Sequence, residues 1–126
     1  AIFTVLNDET GTDIVKTILE TAQSRTNTII HMPFIALMEA EYLLLRSYSP
    51  DETEHVISRV LAWPMQLAES SPEWRHQAAY VKSVWNVSLA DAWIAGLAIL
   101  LNAKLIHKDP EFDAIPQLQT VRLPSK

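Results

Sequence analysis

Three carboxylates, Glu39, Asp91 and Asp109, stand where chemistry is possible, each with a local alternative beside it. On a helix, Glu39 has Ile35, Ala36, Tyr42 and Leu43 as its neighbours three and four residues away. A carboxylate in that company has a raised pKa unless a cation or hydrogen-bond donors meet it. Glu41 competes for the same reading, because Leu37, Met38, Leu44 and Leu45 surround it equally. Asp91 follows Ser88 by three residues, a Ser-x-x-Asp pattern that caps a helix start through backbone donors. Asp109 precedes Pro110, which suits an N-cap followed by proline in the first helical position. Taken singly, these local readings suffice. Taken together, acids gathered at the carboxyl ends of parallel strands would repel one another unless a divalent cation held them. Mg²⁺ or Mn²⁺ is the hard cation that carboxylates, water and substrate phosphate bind.

Composition narrows the alternatives. The chain has no cysteine, which excludes a disulfide framework, a thiolate nucleophile and a sulfur-ligated zinc site, and fits a reducing cytoplasmic setting. Its formal charge is -5, from 10 Lys and Arg against 15 Asp and Glu. A passive nucleic-acid binder is usually basic, so a polyanion could approach only if something else supplied positive charge. Arg75, His76, Lys82, Lys104 and Lys108 are the candidate rim cations, although such residues on helices are usually only solvated. No apolar run reaches the roughly 18 residues of a membrane span, and no basic segment precedes an apolar one at the start.

The elements that must position these acids alternate between helix and strand. Ala1–Leu6 is an apolar run closed by turn residues through Gly11. Helical spacing runs from Thr12 to Ser24, with Ile14, Val15, Ile18, Leu19 and Ala22 on one face. Thr28–Met32 predicts a short buried strand, and Pro33 opens a helix to about Arg46. Ser49-Pro50 and Ser71-Pro72 start two more helices, with a short strand at Met65–Ala68 between them. Ser88 opens the most apolar helix, which Asn102 closes after Leu101. Ala103–His107 and Gln119–Leu123 predict strands, and Asp109-Pro110 a turn or short helix. The order predicts an α/β domain built on a parallel sheet. Trp63, Trp74, Trp85 and Trp93 are more tryptophan than a small core needs, leaving both core and interface open.

Two segments carry a resemblance. Ser88-Leu-Ala-Asp91-Ala-Trp, followed by Leu105-Ile-His-Lys-Asp109-Pro-Glu-Phe112, resembles the C-terminal half of a PIN domain of the VapC-type toxin ribonucleases of bacterial toxin–antitoxin pairs. Met32-Pro-Phe-Ile-Ala-Leu-Met-Glu39, with Tyr42 and Arg46, is similar to that family's central strand-to-helix segment. The resemblance implies a single three-layer α/β/α domain over residues 1–126, with a parallel sheet of about four or five strands. It also implies that the family's first strand, ending in Asp-x-Ser/Thr, would stand ahead of Ala1, so the expectation is a chain lacking that strand. By motif position it assigns the metal and catalytic carboxylates to Glu39, Asp91 and Asp109, choosing Glu39 over Glu41. His107 stands where the family often has Thr or Ser, and a neutral imidazole there could bond a metal-bound water.

The implied activity is Mg²⁺- or Mn²⁺-dependent endoribonuclease hydrolysis in the cytoplasm. The implied partners are an RNA substrate, a cognate antitoxin protein and a second copy of the chain in a homodimer, with no membrane. Metal in the acidic pocket would reconcile a charge of -5 with an RNA substrate. The alternative is a degenerate, non-catalytic PIN-like domain that binds RNA or protein. A receiver-like phosphoacceptor module needs an acidic pair after its first strand, which the sequence does not offer.

Overall fold

A computed structural model describes residues 12–24, 29–107 and 109–124. The expectations for Ala1–Gly11, Thr28 and Lys108 lie outside the described residues. Two compact units share the chain, dividing between Ala68 and Glu69.

The N-terminal unit begins with α1 (Thr12–Ser24), where Val15 is the buried member of the predicted apolar face. β1 (His31–Pro33) is half-buried and shorter than its β-branched run suggests; Ile29, ahead of it, is exposed. Pro33 ends the strand rather than beginning the helix. Its φ of -63° suits either, but ψ of 136° keeps the backbone extended, and α2 (Phe34–Leu45) starts one residue later. This helix is apolar on most of its circumference yet buries only Ala40 and Leu44. α3 (Pro50–Leu61) has a full capping box: Ser49 Oγ accepts from the Glu52 N–H at 3.1 Å, and Glu52 Oε1 accepts from the Ser49 N–H at 3.1 Å. Thr53, Ile57 and Val60 form its buried stripe, while Leu61 turns outward. β2 (Gln66–Ala68) pairs in parallel with β1, Met32 opposite Leu67, after the Gln66 N–H reaches the Ile30 carbonyl at 2.7 Å. Ala40 and Val60 form the centre of this unit's core, with Met32, Leu37, Trp63 and Met65 against them.

The capping box makes a prediction. Hydrogen bonds from the backbone and then the hydroxyl of Ser49 lower the pKa of Glu52 below its ordinary value. A group with a lowered folded-state pKa adds stability above its unfolded pKa and loses it as pH falls through the folded value. Glu52→Gln is therefore expected to melt below the wild type at neutral pH. The two melting temperatures should converge as acid protonates Glu52 into a near-isostere of glutamine. A gap that stays constant across the acid limb would show that the charge contributes nothing.

The C-terminal unit begins at α4 (Pro72–Val84). Ser71 Oγ accepts from the Trp74 N–H at 3.2 Å and Pro72 occupies the first turn. Trp74, Ala78 and Val81 lie buried along one stripe. Ser88 caps α5 (Leu89–Leu101) by accepting from the Asp91 N–H at 3.1 Å. Asn102 ends that helix in the left-handed conformation, φ 50° and ψ 43°, which asparagine adopts more readily than most residues. α4 and α5 pack so closely that a Cβ on Gly96 would stand 2.8 Å from the Ala78 Cα. The Trp74 indole N–H donates to the Trp93 carbonyl at 2.7 Å, and the two rings meet edge to face at 5.1 Å.

β3 (Lys104–His107) then pairs in parallel with β4 (Gln119–Arg122), Ile106 opposite Val121. A 3₁₀ helix, Pro110–Ala114, lies in the crossover between them. Val81, Val87, Ala92, Ala95, Phe112 and Ile115 form the core of this unit.

Among the described residues the strands form two parallel pairs, β1–β2 and β3–β4, where one sheet of four or five strands was expected. The parallel direction and the helical crossovers agree with the expected fold class. The tryptophans resolve toward packing: Trp74 is 1% exposed, Trp85 packs on the C-terminal core and Trp63 on the N-terminal one. The exposed apolar residues are others, including Met38, Tyr42 and Leu45 on α2.

Candidate metal centre

Asp91, Asp109 and Glu111 each offer a carboxylate oxygen within 4.8 Å of the other two. Three separate local devices produce this meeting. Ser88 fixes the first turn of α5, and with it Asp91. The Trp74–Trp93 bond and the Gly96–Ala78 approach then hold that turn against α4. Asp109, just past β3, caps the 3₁₀ helix: its Oδ1 accepts from the Glu111 N–H at 2.9 Å, with Pro110 fixing the turn between them. Phe112 anchors the segment by burying its ring in the core, edge-on to His107 at 5.1 Å.

The local readings of Asp91 and Asp109 therefore hold and are incomplete. Asp91 lies where Ser88 supplies its half of the cap, and its carboxylate shares a hydrogen bond with Glu111. Asp109 spends one oxygen on the Glu111 N–H and keeps another lone-pair set for a ligand.

Glu111 has a raised pKa. The hydrogen bond with Asp91 is the largest cause, followed by partial desolvation and the negative charges of Asp91 and Asp109, while Lys82 acts in the opposite direction. A raised carboxyl pKa means that the folded chain binds this proton more tightly than the unfolded chain. Ionising Glu111 as pH rises thus works against folding, and a cation that neutralises the cluster removes that cost. The donor set is carboxylate oxygen throughout, which suits a hard divalent ion such as Mg²⁺ or Mn²⁺ and not a soft one.

Glu39 lies on the exposed side of α2 in the N-terminal unit, and Glu41 is exposed as well. Solvent access does not separate the two, so the preference for Glu39 rests on motif position. His107 is 4% exposed and turned against Phe112, with Nε2 3.7 Å from the Asp113 carboxylate that Arg122 holds at 2.9 Å. It is a core histidine in this structure. Glu111 is the residue that sequence reasoning passed over. Its signal was the two-residue step from Asp109 across Pro110, which puts both acids on one tight turn.

The PIN domain family profile matches residues 1–118. The chain belongs to the PIN-domain family. No curated protein matches it significantly. Its fold is similar to that of a chain in the VapBC2 complex of Rickettsia felis bound to a DNA fragment from their promoter. That likeness has a TM-score of 0.79 at 18% identity, covering 98% of this chain and 93% of that one. The DNA-bound VapBC of Salmonella typhimurium gives a TM-score of 0.77 at 20% identity, covering 96% and 90%. VapBC-1 of nontypeable Haemophilus influenzae gives 0.68 at 22%, covering 84% of each chain. At these identities the likeness establishes the PIN fold of mixed helices and parallel strands. Among the described residues, no helix of this PIN domain is long and apolar enough to cross a membrane.

Proposed function

We propose that this PIN domain is a divalent-metal-dependent endoribonuclease of the VapC type, the toxin of a toxin–antitoxin pair acting in the cytoplasm. The observation that carries the reading is the convergence of Asp91, Asp109 and Glu111 beside a parallel strand end, in a chain of this family. We take residues 1–126 as one PIN-like domain. Motif position brings Glu39 into the proposed ligand set with Asp91 and Asp109, and the geometry adds Glu111.

Mg²⁺ or Mn²⁺, when bound, would polarise the scissile phosphodiester and lower the pKa of an attacking water. The residues of the chain do the rest. Asp91 supplies charge from the first turn of α5. Asp109 holds its position by capping the 3₁₀ helix, so its free oxygen is pre-oriented. Glu111 gives up its proton when the ion arrives, which couples metal uptake to proton release.

An antitoxin and a second copy of the chain are the proposed protein partners. The exposed apolar side chains of α2 support such a surface: Met38, Tyr42 and Leu45 recur at helical spacing and are 51%, 47% and 47% exposed. Arg46 lies over Tyr42 at 5.9 Å from the ring centroid, adding a cation at the margin of the stripe.

The test is cleavage of structured RNA by the full-length protein, with Mg²⁺ or Mn²⁺ and with chelator. Cutting only in the presence of metal is the expected result. Equal cutting in chelator would sink the metal-dependent mechanism. RNA binding without any cleavage would favour the non-catalytic PIN-like alternative.

A further inference from the structure

We propose that Lys82 is a positioning residue for the carboxylate site, a tethered positive charge that braces the α4–α5 linker and holds Asp91 and Glu111 together. For its catalytic meaning this rests on the nuclease reading above; for its physical basis it does not.

The geometry begins at the end of α4. The helix stops at Val84, and Trp85 leaves it in an extended conformation, φ -115° and ψ 148°. From the last turn, Lys82 reaches forward and its Nζ donates to the Val87 carbonyl at 2.6 Å. Val87 is not a loose acceptor. Its side chain is buried in the same core cluster as Val81, Ala92 and Phe112. The next residue is Ser88, the cap of α5, and Asp91 follows within the first turn. Lys82 thus ties down the linker one residue before the helix that carries Asp91. Phe112 packs in that cluster from the other side, next to Glu111, so the linker and the 3₁₀ helix share one support.

Charge supplies the second half of the argument. An ammonium group has three N–H donors, and the Val87 carbonyl uses one. The remaining field falls on the acids, and Lys82 opposes the rise in the Glu111 pKa that Asp91 and Asp109 cause. Other basic residues are placed differently: Arg122 is held on Asp113, and Arg75, His76 and Lys104 are solvent-exposed on α4 and β3. A neutral donor at position 82 would brace the linker equally well and leave the carboxylates to repel each other. The structure therefore separates two jobs, a tether and a counter-charge, and assigns both to one side chain.

A double-mutant cycle in metal-free, full-length protein tests this by thermal melting. Lys82→Met and Glu111→Gln are made singly and together, with Lys82→Gln as a second neutral variant that keeps a donor. Glu111→Gln is expected to raise the melting temperature more in either Lys82 variant than in the wild type, by about 2–4 °C, because repulsion is then uncompensated. Sodium chloride near 1 M should shrink that difference, with a Debye length of about 3 Å. Lys82→Arg is expected to behave as the wild type. Additive shifts, or a coupling indifferent to salt, would overturn the counter-charge and leave only a brace. Failure of the wild type to cut RNA would count against the nuclease reading while leaving this cycle interpretable.

Discussion

Asp91→Asn is expected to reduce RNA cleavage by at least about 100-fold and to leave the fold intact. The lower bound follows from the 10- to 100-fold losses typical when only the partners of metal ligands are changed; a ligand itself should cost no less. The fold should survive because Ser88 Oγ, not the Asp91 side chain, caps the Asp91 N–H. Removing one charge from the group of Asp91, Asp109 and Glu111 also relieves repulsion, so the metal-free variant should melt at or above the wild-type temperature. The gain in melting temperature that Mg²⁺ or Mn²⁺ gives the wild type should meanwhile disappear. Loss of activity joined to retained stability distinguishes a ligand from a structural cap. Asp109→Asn sharpens the distinction, since asparagine caps helices as well as aspartate does and can still accept from the Glu111 N–H. If both asparagine variants cut RNA at wild-type rates with metal present, these carboxylates are not the catalytic ones.

Trp74→Ala is expected to destabilise the chain by about 3–5 kcal/mol, the range for truncating a large buried aromatic residue. That corresponds to a fall of roughly 10 °C or more in melting temperature. Trp74 is 1% exposed, fills the contact between α4 and α5, and loses with its ring both the edge-to-face contact and the bond to the Trp93 carbonyl. Trp74→Phe keeps most of the packing and forfeits the N–H donor, so its cost should be nearer 1 kcal/mol. Gly96→Ala attacks the same contact from the other helix. Its Cβ would meet the Ala78 backbone at 2.8 Å to Cα and 2.9 Å to N, and helix backbone yields only by moving the helix. Overpacking of that kind costs about 1–3 kcal/mol. The functional consequence is specific, because α5 carries Asp91 in its first turn. Gly96→Ala should therefore weaken metal binding as well as stability, measured by titrating the ion into folded protein. Unchanged metal affinity in that variant would show that helix spacing does not set the position of Asp91.

The helix ends were readable because capping is local chemistry. Ser49, Ser71 and Ser88 each stand three residues before the N–H they accept, and Asn102 adopts its left-handed turn at the place where an apolar stripe runs out. The same locality explains the reading of Asp109, which caps across two residues. Strand extent was less legible. The run from Thr28 to Met32 has strand composition, yet the pairing is confined to His31–Pro33, since a parallel ladder ends where its partner ends, at Gln66–Ala68. The tryptophans show the same limit: spacing puts Trp74 on a stripe with Ala78 and Val81, but not its indole against the Trp93 carbonyl.

The acids divide in the same way. By itself the sequence determined which carboxylates sit at helix starts and strand ends, because those positions follow from residues within one turn of each, and its motifs marked the family that the profile over residues 1–118 establishes. Only the tertiary structure decided that Asp91 and Asp109 meet, that Glu111 joins them, and that Lys82 reaches the linker before Asp91. Those contacts depend on how closely α4 and α5 approach and on where Phe112 anchors the 3₁₀ helix. Such distances are set by side-chain packing between segments remote in the chain, and no local pattern encodes them.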